Sequence, residues 1–315
     1  MKITRSQAKD VCKKFQCDYI GHRFLASGNH NQCFLLKTAQ RNCVIKIEMN
    51  PGYVTKEYSN LSFLKKGLGP EIYLFDDSKS VLPEAYMVME FLTGKHPSRK
   101  ATNGFVRGMA GWLRKLHQIK SSNIPTSERK LIQSLHYWGS HHYKRFNGDK
   151  RFIEHPFRQE LEVAFERSLE LCKENTSLFA RRRHFPLVHN DLYRGNVFVN
   201  GNKICIVDWE FAGFGLHERD LINFFYSYTL TDVQKKLFLR TYGYADTKIA
   251  RKKLRMISLM LSLGGFEYLV NRVCLIEKGK IDKKQRASRS KPLISKLRKH
   301  LTKHNKLVRE INQFE

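Results

Sequence analysis

The stretch from residue 187 to residue 210 constrains this chain more than any other part of its sequence. It reads LVHNDLYRGNVFVNGNKICIVDWE, and it places His189, Asp191 and Asn196 in the pattern H-x-D-x-x-x-x-N. An apolar run follows and ends at Asp208. Two apolar segments around a glycine-containing turn separate the motif from that aspartate, and this pattern predicts a β-hairpin. The hairpin would bring the three oxygen-bearing side chains of Asp191, Asn196 and Asp208 together.

Carboxylate and amide oxygens that meet at one point suit a particular chemistry. Mg²⁺ prefers oxygen ligands and usually reaches proteins through one or two carboxylates plus the phosphates of a substrate. In this interpretation Asn196 and Asp208 hold the metal, while Asp191 orients or deprotonates an attacking hydroxyl. The arrangement is the phosphoryl-transfer template of kinases. A chance pattern is the alternative, and the Asp-ended apolar strand at the right distance argues against it.

The composition indicates a globular chain with one large domain or two lobes. Its 315 residues, 41% of them hydrophobic, are sufficient for a substantial core. The first residues lack the apolar segment of a signal peptide. The longest apolar helix candidate, 254–276, is interrupted by charged residues and suits a buried helix better than a membrane span. Seven scattered cysteines without a CxxC pair agree with a reducing compartment. We therefore expect a cytoplasmic protein without a transmembrane segment.

The formal net charge of +28 predicts a positive field that attracts nucleotides, phosphorylated substrates, acidic lipid surfaces or nucleic acid. The basic tail, residues 278–315, concentrates this charge, because its segment 278–309 holds thirteen Lys and Arg against one acid. An apolar stripe in the tail predicts an amphipathic helix. This helix either associates electrostatically with anionic surfaces or polyanions, or packs on the larger lobe. The stripe consists of Leu293, Leu297, Leu301 and Val308.

The part of the chain that precedes residue 92 predicts a small antiparallel sheet. Alternating or continuous apolar segments separated by turns give this prediction. The first turn contains Gly28, which suits either a backbone that lies over phosphates or an ordinary hairpin turn. The predicted strands are 19–26, 32–38, 42–49, 71–75 and 85–91.

Lys46 lies in the third of these strands, between branched apolar residues. A lysine in the middle of a strand normally faces solvent, but in a nucleotide-binding sheet it reaches the α- and β-phosphates. The helix predicted next along the chain places Glu57 to pair with Lys46, and an exposed helical glutamate is the alternative. The last strand ends near Glu90 and Leu92, either as an ordinary strand end or as a connector whose backbone contacts an adenine.

From residue 102 onward the pattern is mainly helical. Apolar stripes predict helices that begin near 102 and 158. Between them, residues 130–157 carry aromatic, histidine and basic residues without a clean period, and they either line a substrate pocket or cover the larger lobe. Asp220 is interpreted either as the cap of a helix or as a support of the catalytic loop.

On these residues the chain resembles the aminoglycoside phosphotransferase and choline kinase family of protein-kinase-like small-molecule kinases. Spore-coat proteins of the CotS type are similar as well. Two features depart from the family pattern: Asn190 stands where glycine is common, and the loop 27–29 is poor in glycine. The segments that carry the resemblance are 189–196, 206–210, 218–221, 113–117 and 89–91, with weaker support at Gly28, Asn31, Lys46 and Glu57.

The resemblance implies an α+β, two-lobe protein-kinase-like fold. Residues 1–92 would form a small antiparallel-sheet N-lobe and residues 93–315 a mainly helical C-lobe, with Mg and ATP in the cleft. It implies Asp191 as the catalytic base and Asn196 and Asp208 as metal ligands, with Glu210 as a further candidate at the metal. The residues implied in nucleotide binding are Lys46, Glu57, Gly28, Asn31, Glu90 and Leu92.

The activity that follows is ATP- and Mg-dependent phosphoryl transfer to a hydroxyl of a small molecule: a sugar, an aminoglycoside-like compound or an amino alcohol. The positive charge disfavours a free cation such as choline and favours a sugar or an acceptor that is already phosphorylated or lipid-linked. A protein kinase is one alternative, disfavoured because about ten residues separate Asp208 from Glu218 and leave little room to dock a peptide. A non-catalytic kinase-fold scaffold, coat protein or nucleic-acid binder is the other.

Overall fold

The fold is that of a computed structural model, which describes residues 3–28, 30–277 and 290–313. Asn29 of the predicted glycine-poor loop and residues 278–289 of the basic tail lie outside the described residues. The strands are β1 (Tyr19–Ser27), β2 (Asn31–Thr38), β3 (Asn42–Glu48), β4 (Ile72–Asp76), β5 (Tyr86–Glu90), β6 (Lys120–Ser121), β7 (Phe185–Val188), β8 (Val197–Asn200), β9 (Lys203–Ile206) and β10 (Gly213–Phe214).

Helices account for most of the remaining described residues. A short 3₁₀ turn, Arg194–Asn196, precedes β8. The helices are α1 (Arg5–Lys14), α2 (Tyr53–Ser62), α3 (Asn103–Leu116), α4 (Thr126–Gln133), α5 (Leu135–Gly148), α6 (Lys150–Ile153), α7 (Arg158–Glu174), α8 (His217–Ser227), α9 (Asp232–Tyr242), α10 (Lys248–Glu277) and α11 (Ser290–Asn312).

The chain divides into two compact units, each formed from two separate segments. The first unit comprises Met1–Lys120 and Pro186–Gly243, and the second comprises Ser121–Phe185 and Tyr244–Glu315. The five-stranded sheet and the 187–210 stretch therefore belong to the same unit. A domain boundary between residues 92 and 93 stays a prediction.

The sheet of the first unit is antiparallel throughout, with strand order β1-β2-β3-β5-β4. Apolar side chains from β2, β3 and β5 pack with α1 in a core that includes Phe34, Ile45 and Val88. Alternate side chains of a strand point to opposite faces, so each of these strands directs part of its apolar residues into this core. Lys46 lies in the middle of β3, opposite Cys33 on one neighbouring strand and Met87 on the other. The sheet confirms the predicted α+β fold class.

The start of helix α2 is hydrogen-bonded to the end of β3. Its N-terminal cap is Gly52, with φ of 90°, a left-handed conformation that glycine adopts without steric cost. The carboxylate of Glu48, at the end of β3, accepts a hydrogen bond of 3.0 Å from the backbone N–H of Val54. The first N–H groups of a helix lack partners within the helix, so this bond satisfies one of them. Glu57, one turn further along, is thereby directed towards β3.

The predicted hairpin is present as β8 and β9. Val197 lies opposite Ile206 and Asn200 opposite Lys203, so two residues form the turn. Lys95, in the segment that follows β5, exchanges two backbone hydrogen bonds with Val199 of β8, at 3.0 and 2.9 Å. A Cβ atom on Gly94 would lie 2.8 Å from the carbonyl oxygen of Val199, so only glycine fits this approach. The connector after β5 is therefore anchored to the hairpin.

The second unit is helical and is organised around α10. Among the described residues one helix, Lys248–Ile276, is long and apolar enough to cross a membrane: the mean hydropathy of an 18-residue window in it is 1.4, and 39% of that window is buried. Many of its apolar side chains, among them Ile257, Met260 and Phe266, are buried within the unit. This burial agrees with the sequence interpretation of a buried helix. The apolar stripe of the tail forms α11, where Leu293, Leu297 and Val308 are buried, and Leu301 is partly exposed.

A buried histidine joins α11 to two other helices of the second unit. Nδ1 of His304 lies 3.0 Å from Oγ of Ser262 on α10, and its Nε2 lies 2.9 Å from Oγ of Ser168 on α7. His300, one turn earlier, lies 2.8 Å from the carbonyl oxygen of Ser262. Burial lowers the pKa of His304 to about 4, from an ordinary value of 6.5. The described part of the tail thus packs in the second unit through its apolar and histidine-bearing face.

Acidification is expected to destabilise the protein through His304. Because its pKa is lower in the folded state, only the unfolded chain binds a proton as the pH falls below 6.5, and the free energy of unfolding decreases until about pH 4. The shift corresponds to a loss on the order of 3 kcal/mol. Urea unfolding at pH 7 and pH 4 measures it, with His304→Gln expected to lose correspondingly less stability than wild type. His184→Gln, at an exposed position, is the control, and equal losses in all three proteins would contradict the prediction.

Candidate active site

Lys46 forms the centre of a buried ion-paired group in the first unit. Its Nζ lies 2.5 Å from Oε2 of Glu57 on α2 and 2.7 Å from Oδ1 of Asp208, which follows β9. Glu57 is fully buried and also accepts a hydrogen bond of 3.2 Å from the backbone N–H of Trp209. The Asp208 side chain keeps 33% exposure. The structure therefore brings three of the predicted site residues into direct contact.

The charge of Lys46 is maintained by its two partners. Burial alone would lower the pKa of this ammonium group, but the charges of Glu57 and Asp208 outweigh burial and hold the pKa above its ordinary value. A cation with one buried anion and one partly exposed anion can bind a further anionic group at the exposed side. Mid-strand placement, which normally directs a lysine to solvent, here directs Lys46 into the site.

The catalytic loop predicted around Asp191 is held by its own side chains. Asn196 donates one hydrogen bond to Oδ2 of Asp191 and another to its backbone oxygen, both of 3.0 Å. The backbone N–H of Asp191 donates to Nδ1 of His189 at 3.3 Å, and Nε2 of that ring lies 3.1 Å from the carbonyl oxygen of Val207. His189 therefore links the loop to Val207, which lies between β9 and Asp208.

Two residues of the site adopt left-handed backbone conformations. Asn190 has φ of 66° and Asp208 has φ of 68°. Asn and Asp tolerate this region better than other residues with a Cβ atom. This explains how Asn190 can stand at a position where the resemblance noted in the sequence leads us to expect glycine. Its side chain also donates a hydrogen bond of 2.9 Å to the carbonyl oxygen of Phe211.

Asp220 supports the catalytic loop from α8. Its carboxylate accepts hydrogen bonds from the backbone N–H groups of His189, at 2.8 Å, and Asn190, at 2.9 Å. Nε2 of His117 lies 3.1 Å from the same carboxylate, and Nδ1 of His117 lies 2.8 Å from the hydroxyl of Tyr242. Burial opposes ionisation of Asp220, yet the bond from His117 and nearby positive charge hold its pKa below the ordinary value. Of the two sequence alternatives, the geometry favours loop support.

An acidic cluster surrounds the exposed side of Asp208. One carboxylate oxygen each from Glu57, Asp208 and Glu210 lies within 4.8 Å of the others. Burial, with the charge of Asp208, raises the pKa of Glu210 to about 7, although Nδ2 of Asn31 donates a hydrogen bond of 2.8 Å to it. Burial also raises the pKa of Asp191, against the opposing charge of His189. Such concentrated negative charge in a partly buried site favours binding of a cation.

The remaining predicted nucleotide-binding residues lie at the ends of strands or just after them. Gly28 follows β1, and its N–H donates to the carbonyl oxygen of Asn31 at 2.9 Å. The Asn31 side chain faces Glu210. Glu90 ends β5 and Leu92 stands in the connector, both partly exposed. Their roles in nucleotide binding stay predictions.

Several residues that shape the site were not found from the sequence. Asn60 on α2 donates hydrogen bonds of 2.9 Å and 3.0 Å to the carbonyl oxygens of Trp209 and Ala212, which fixes the segment after Asp208. A polar residue that is isolated on a helix gives no sequence signal of such a role. Arg194 was not singled out either, although its position inside the H-x-D-x-x-x-x-N motif is a sequence signal that places it near the site.

A cleft of about 450 Å³ opens beside Asp191, and we call it the Asp191 cleft. This volume is within the range of pockets that bind small molecules. Its walls come from the catalytic loop, from α8 and from the connector that leads to α3. The residues that line it include Arg99, Asp191, Tyr193, Arg194, Asn223 and Tyr226.

Comparison with known sequences gives one family and distant relatives. The model of a family described as the phosphotransferase enzyme family matches residues 21–256. A protein LicA homolog from Mycoplasma capricolum is 23% identical over 165 residues, a match that covers 51% of this chain and 59% of that protein. The chain spans less than two thirds of the length of the curated relatives that it matches.

Solved structures share the fold over nearly the whole chain. A choline/ethanolamine kinase family protein from Mesorhizobium loti gives a TM-score of 0.68 at 17% identity, covering 98% of this chain and 96% of that one. A spectinomycin phosphotransferase, solved with ADP and spectinomycin, gives a TM-score of 0.63 at 15% identity, covering 99% of this chain and 100% of that one. At these identities the likeness concerns the fold.

Proposed function

This chain belongs to the phosphotransferase enzyme family, and from that premise we propose that it transfers the γ-phosphoryl group of ATP to a hydroxyl of a small molecule. The family match confirms the resemblance noted in the sequence, and the solved structures confirm the protein-kinase-like fold. Both support the prediction of a phosphotransferase with an alcohol group as acceptor. The nucleotide, the metal and the acceptor are parts of the proposal. Neighbours of the same fold that were solved with ADP support the choice of nucleotide.

The observation that carries the proposal is the position of Lys46. Its Nζ contacts Glu57 and Asp208 at once, so the ammonium group is held still beside the one partner that remains partly exposed. A fixed cation at this point would bind phosphate oxygens of the nucleotide and stabilise the charge that develops on them. Glu57 acts through Lys46, which it holds in place.

Asp191 would accept the proton of the acceptor hydroxyl. In the proposed step the hydroxyl oxygen forms a bond to the γ-phosphorus, the bond from that phosphorus to the β–γ bridging oxygen breaks, and ADP leaves. The hydroxyl proton passes to the Asp191 carboxylate. Asn196 keeps that carboxylate oriented through its two hydrogen bonds, and Asp220 fixes the backbone on which both residues depend.

The donor set at Asp208 fits a magnesium ion. The side chains are carboxylates and an amide, which are the hard oxygen ligands that Mg²⁺ prefers, and no thiol or imidazole belongs to the described cluster of Glu57, Asp208 and Glu210. Asp208 and Asn196 would hold the ion, because Glu57 is already bound to Lys46 and the backbone of Trp209. When bound, the ion would neutralise charge on the phosphates of the nucleotide.

The proposal is tested by nucleotide binding and turnover measured separately. Calorimetry with ATP and Mg²⁺ is expected to show binding, and ATP consumption is expected to rise with at least one member of a panel of sugars, sugar phosphates, amino alcohols and lipid-linked acceptors. Omission of Mg²⁺ is expected to abolish the turnover. Absence of nucleotide binding together with silence across the panel would overturn the proposal and favour a non-catalytic scaffold.

A further inference from the structure

In the Asp191 cleft, one face of α8 is hydrogen-bonded to the catalytic loop. Nδ2 of Asn223 donates a hydrogen bond of 2.9 Å to the carbonyl oxygen of Asn190. One turn later, Oγ of Ser227 donates a bond of 2.8 Å to the carbonyl oxygen of Leu192. Residues four apart on a helix lie on the same face, so both bonds fix the loop at the cleft.

Two arginines line this cleft. Arg99 comes from the connector before α3, and its carbonyl oxygen accepts a bond of 2.8 Å from the N–H of Thr229, just after α8. Arg194 comes from the catalytic loop, and its Nη1 donates a bond of 3.2 Å to the carbonyl oxygen of Pro97. A guanidinium carries five N–H donors, so this bond occupies only part of Arg194.

The charge of the cleft is the reverse of what a cationic acceptor requires. Apart from Asp191, which the proposed reaction uses as the base, the charged side chains that line it are Arg99 and Arg194. Quaternary ammonium groups are bound by aromatic faces and negative charge, and guanidinium groups would repel them. Guanidinium groups match phosphate and carboxylate, which they can bind through two parallel hydrogen bonds.

Exposed aromatic rings complete the lining. Tyr193 is 60% exposed and Tyr226 is 56% exposed, and both belong to the cleft. Such rings offer an apolar face with a polar hydroxyl at one end, which suits the mixed surface of a sugar or polyol. A Cβ atom on Gly195 would lie 2.6 Å from Cε1 of Tyr193, so glycine at 195 allows the ring to take this place.

We propose that the acceptor carries a phosphate or carboxylate in addition to the hydroxyl that is phosphorylated, and that Arg99 and Arg194 bind this anionic group. The inference rests on the proposed function, since it defines the acceptor of that reaction. The hydroxyl lies at Asp191, which takes its proton while ADP leaves, and the anionic group remains unchanged at the arginines. The acceptor class is therefore an anionic polyol, such as a sugar phosphate or a uronate.

Matched compounds that differ only in the anionic group test the inference. The pairs are glycerol with glycerol 3-phosphate, glucose with glucose 6-phosphate, and glucose with glucuronate, and choline serves as the cation. Binding to the full chain is measured by calorimetry without nucleotide, and turnover with ATP and Mg²⁺. We expect at least one anionic member to bind at least tenfold more tightly than its neutral partner. The phosphate and carboxylate arms show which anion the arginines recognise.

Single substitutions connect that preference to the cleft. Arg99→Gln is expected to raise KM and Kd for the preferred anionic compound about tenfold to a hundredfold, because one charge-assisted contact is lost, with little change in kcat. The values for its neutral partner are expected to stay unchanged. Arg114→Gln, at an exposed position of α3 in the same unit, is the control and is expected to behave as wild type.

The outcomes separate this inference from the function on which it rests. Equal binding of charged and neutral partners, preference for choline, or an Arg99→Gln variant that keeps the preference would overturn the inference while turnover could still establish a phosphotransferase. Silence of every anionic compound in the binding assay would overturn it as well. Preferential binding of an anionic compound that Arg99→Gln weakens, in a protein that neither binds nor consumes ATP, would uphold the cleft and overturn the proposed function.

Discussion

Replacement of Asp191 by Asn is expected to lower kcat by about 10²- to 10⁴-fold, the range that a positioned general base contributes. The amide has nearly the shape of the carboxylate, and its oxygen can still accept the hydrogen bond from Asn196. The loop should therefore keep its conformation, while the group that takes the proton is lost. Turnover of ATP with the best acceptor, and calorimetry with Mg²⁺ and ATP, measure the two effects separately.

Affinity for the nucleotide is expected to change by less than about threefold in this variant, because Asp191 faces the acceptor side of the site. Asp10→Asn is a matched control, since the side chain of Asp10 on α1 is 44% exposed and pairs with the exposed Lys13. Wild-type turnover in Asp191→Asn would show that another group accepts the proton. Equal losses of kcat and ATP affinity would place Asp191 at the nucleotide instead.

The sequence alone predicted those parts of the fold that depend on a pattern within a few neighbouring residues. Alternating apolar residues predicted the five strands, and the turn around Gly201 predicted the hairpin, because strand alternation and turn chemistry act over a few residues. The spacing of the motif likewise predicted that Asp191, Asn196 and Asp208 belong to one site. The structure places Asp191 in contact with Asn196 and Asp208 in contact with Lys46, and one common site for all three stays a prediction.

Helices α4 to α6 were missed for different reasons: α4 has no buried residue, α6 is only four residues long, and the buried face of α5 is not uniformly apolar. The buried residues of α5 are Leu135, Gly139, His142 and Phe146, which follow a helical period that includes a glycine and a histidine. Gly139 fits because Cys172 fills the space, where a Cβ atom would lie 3.0 Å from Sγ. His142 is buried because its Nδ1 lies 2.7 Å from a carboxylate oxygen of Glu267. Such partners are distant in sequence, so periodicity alone cannot identify the helix.

The same reason limited the prediction of the site. Asn60 and Arg99 contact segments up to about 150 residues away, and their local sequence does not predict those contacts. Asp220 was interpreted either as a helix cap or as a support of the catalytic loop, and its hydrogen bonds to the loop decide between these alternatives. For Lys46 the local signal was ambiguous, because the same strand position suits solvent or a phosphate. The tertiary contact with Glu57 resolves the direction of the side chain, although the role of Lys46 stays a prediction that can be tested.

Replacement of Lys46 by Met is expected to abolish turnover and to lower the free energy of unfolding by about 3–5 kcal/mol, the cost of leaving a buried charge without its partner. Glu57 is fully buried and would lose its only cation among the described contacts. Met has a similar length and no charge, so the effect on stability comes from the ion pair rather than from a cavity. Lys37→Met, at an exposed position of β2, is the matched control and is expected to change stability by less than about 0.5 kcal/mol.

The double variant Lys46→Met, Glu57→Gln separates structure from function. It removes both charges of the buried pair, and replacement of a buried pair by well-packed apolar residues of similar size is often neutral. The glutamine oxygen can still accept the hydrogen bond from the N–H of Trp209, so no buried charge is left without a partner. We therefore expect it to recover most of the stability lost in Lys46→Met, as measured by urea unfolding, while turnover stays at the level of Lys46→Met. Recovered turnover would contradict a role for Lys46 at the phosphates, because the double variant carries no cation at this place. Stability as low as in the single variant would instead show that the loss came from packing, since neutralising Glu57 would then have no effect.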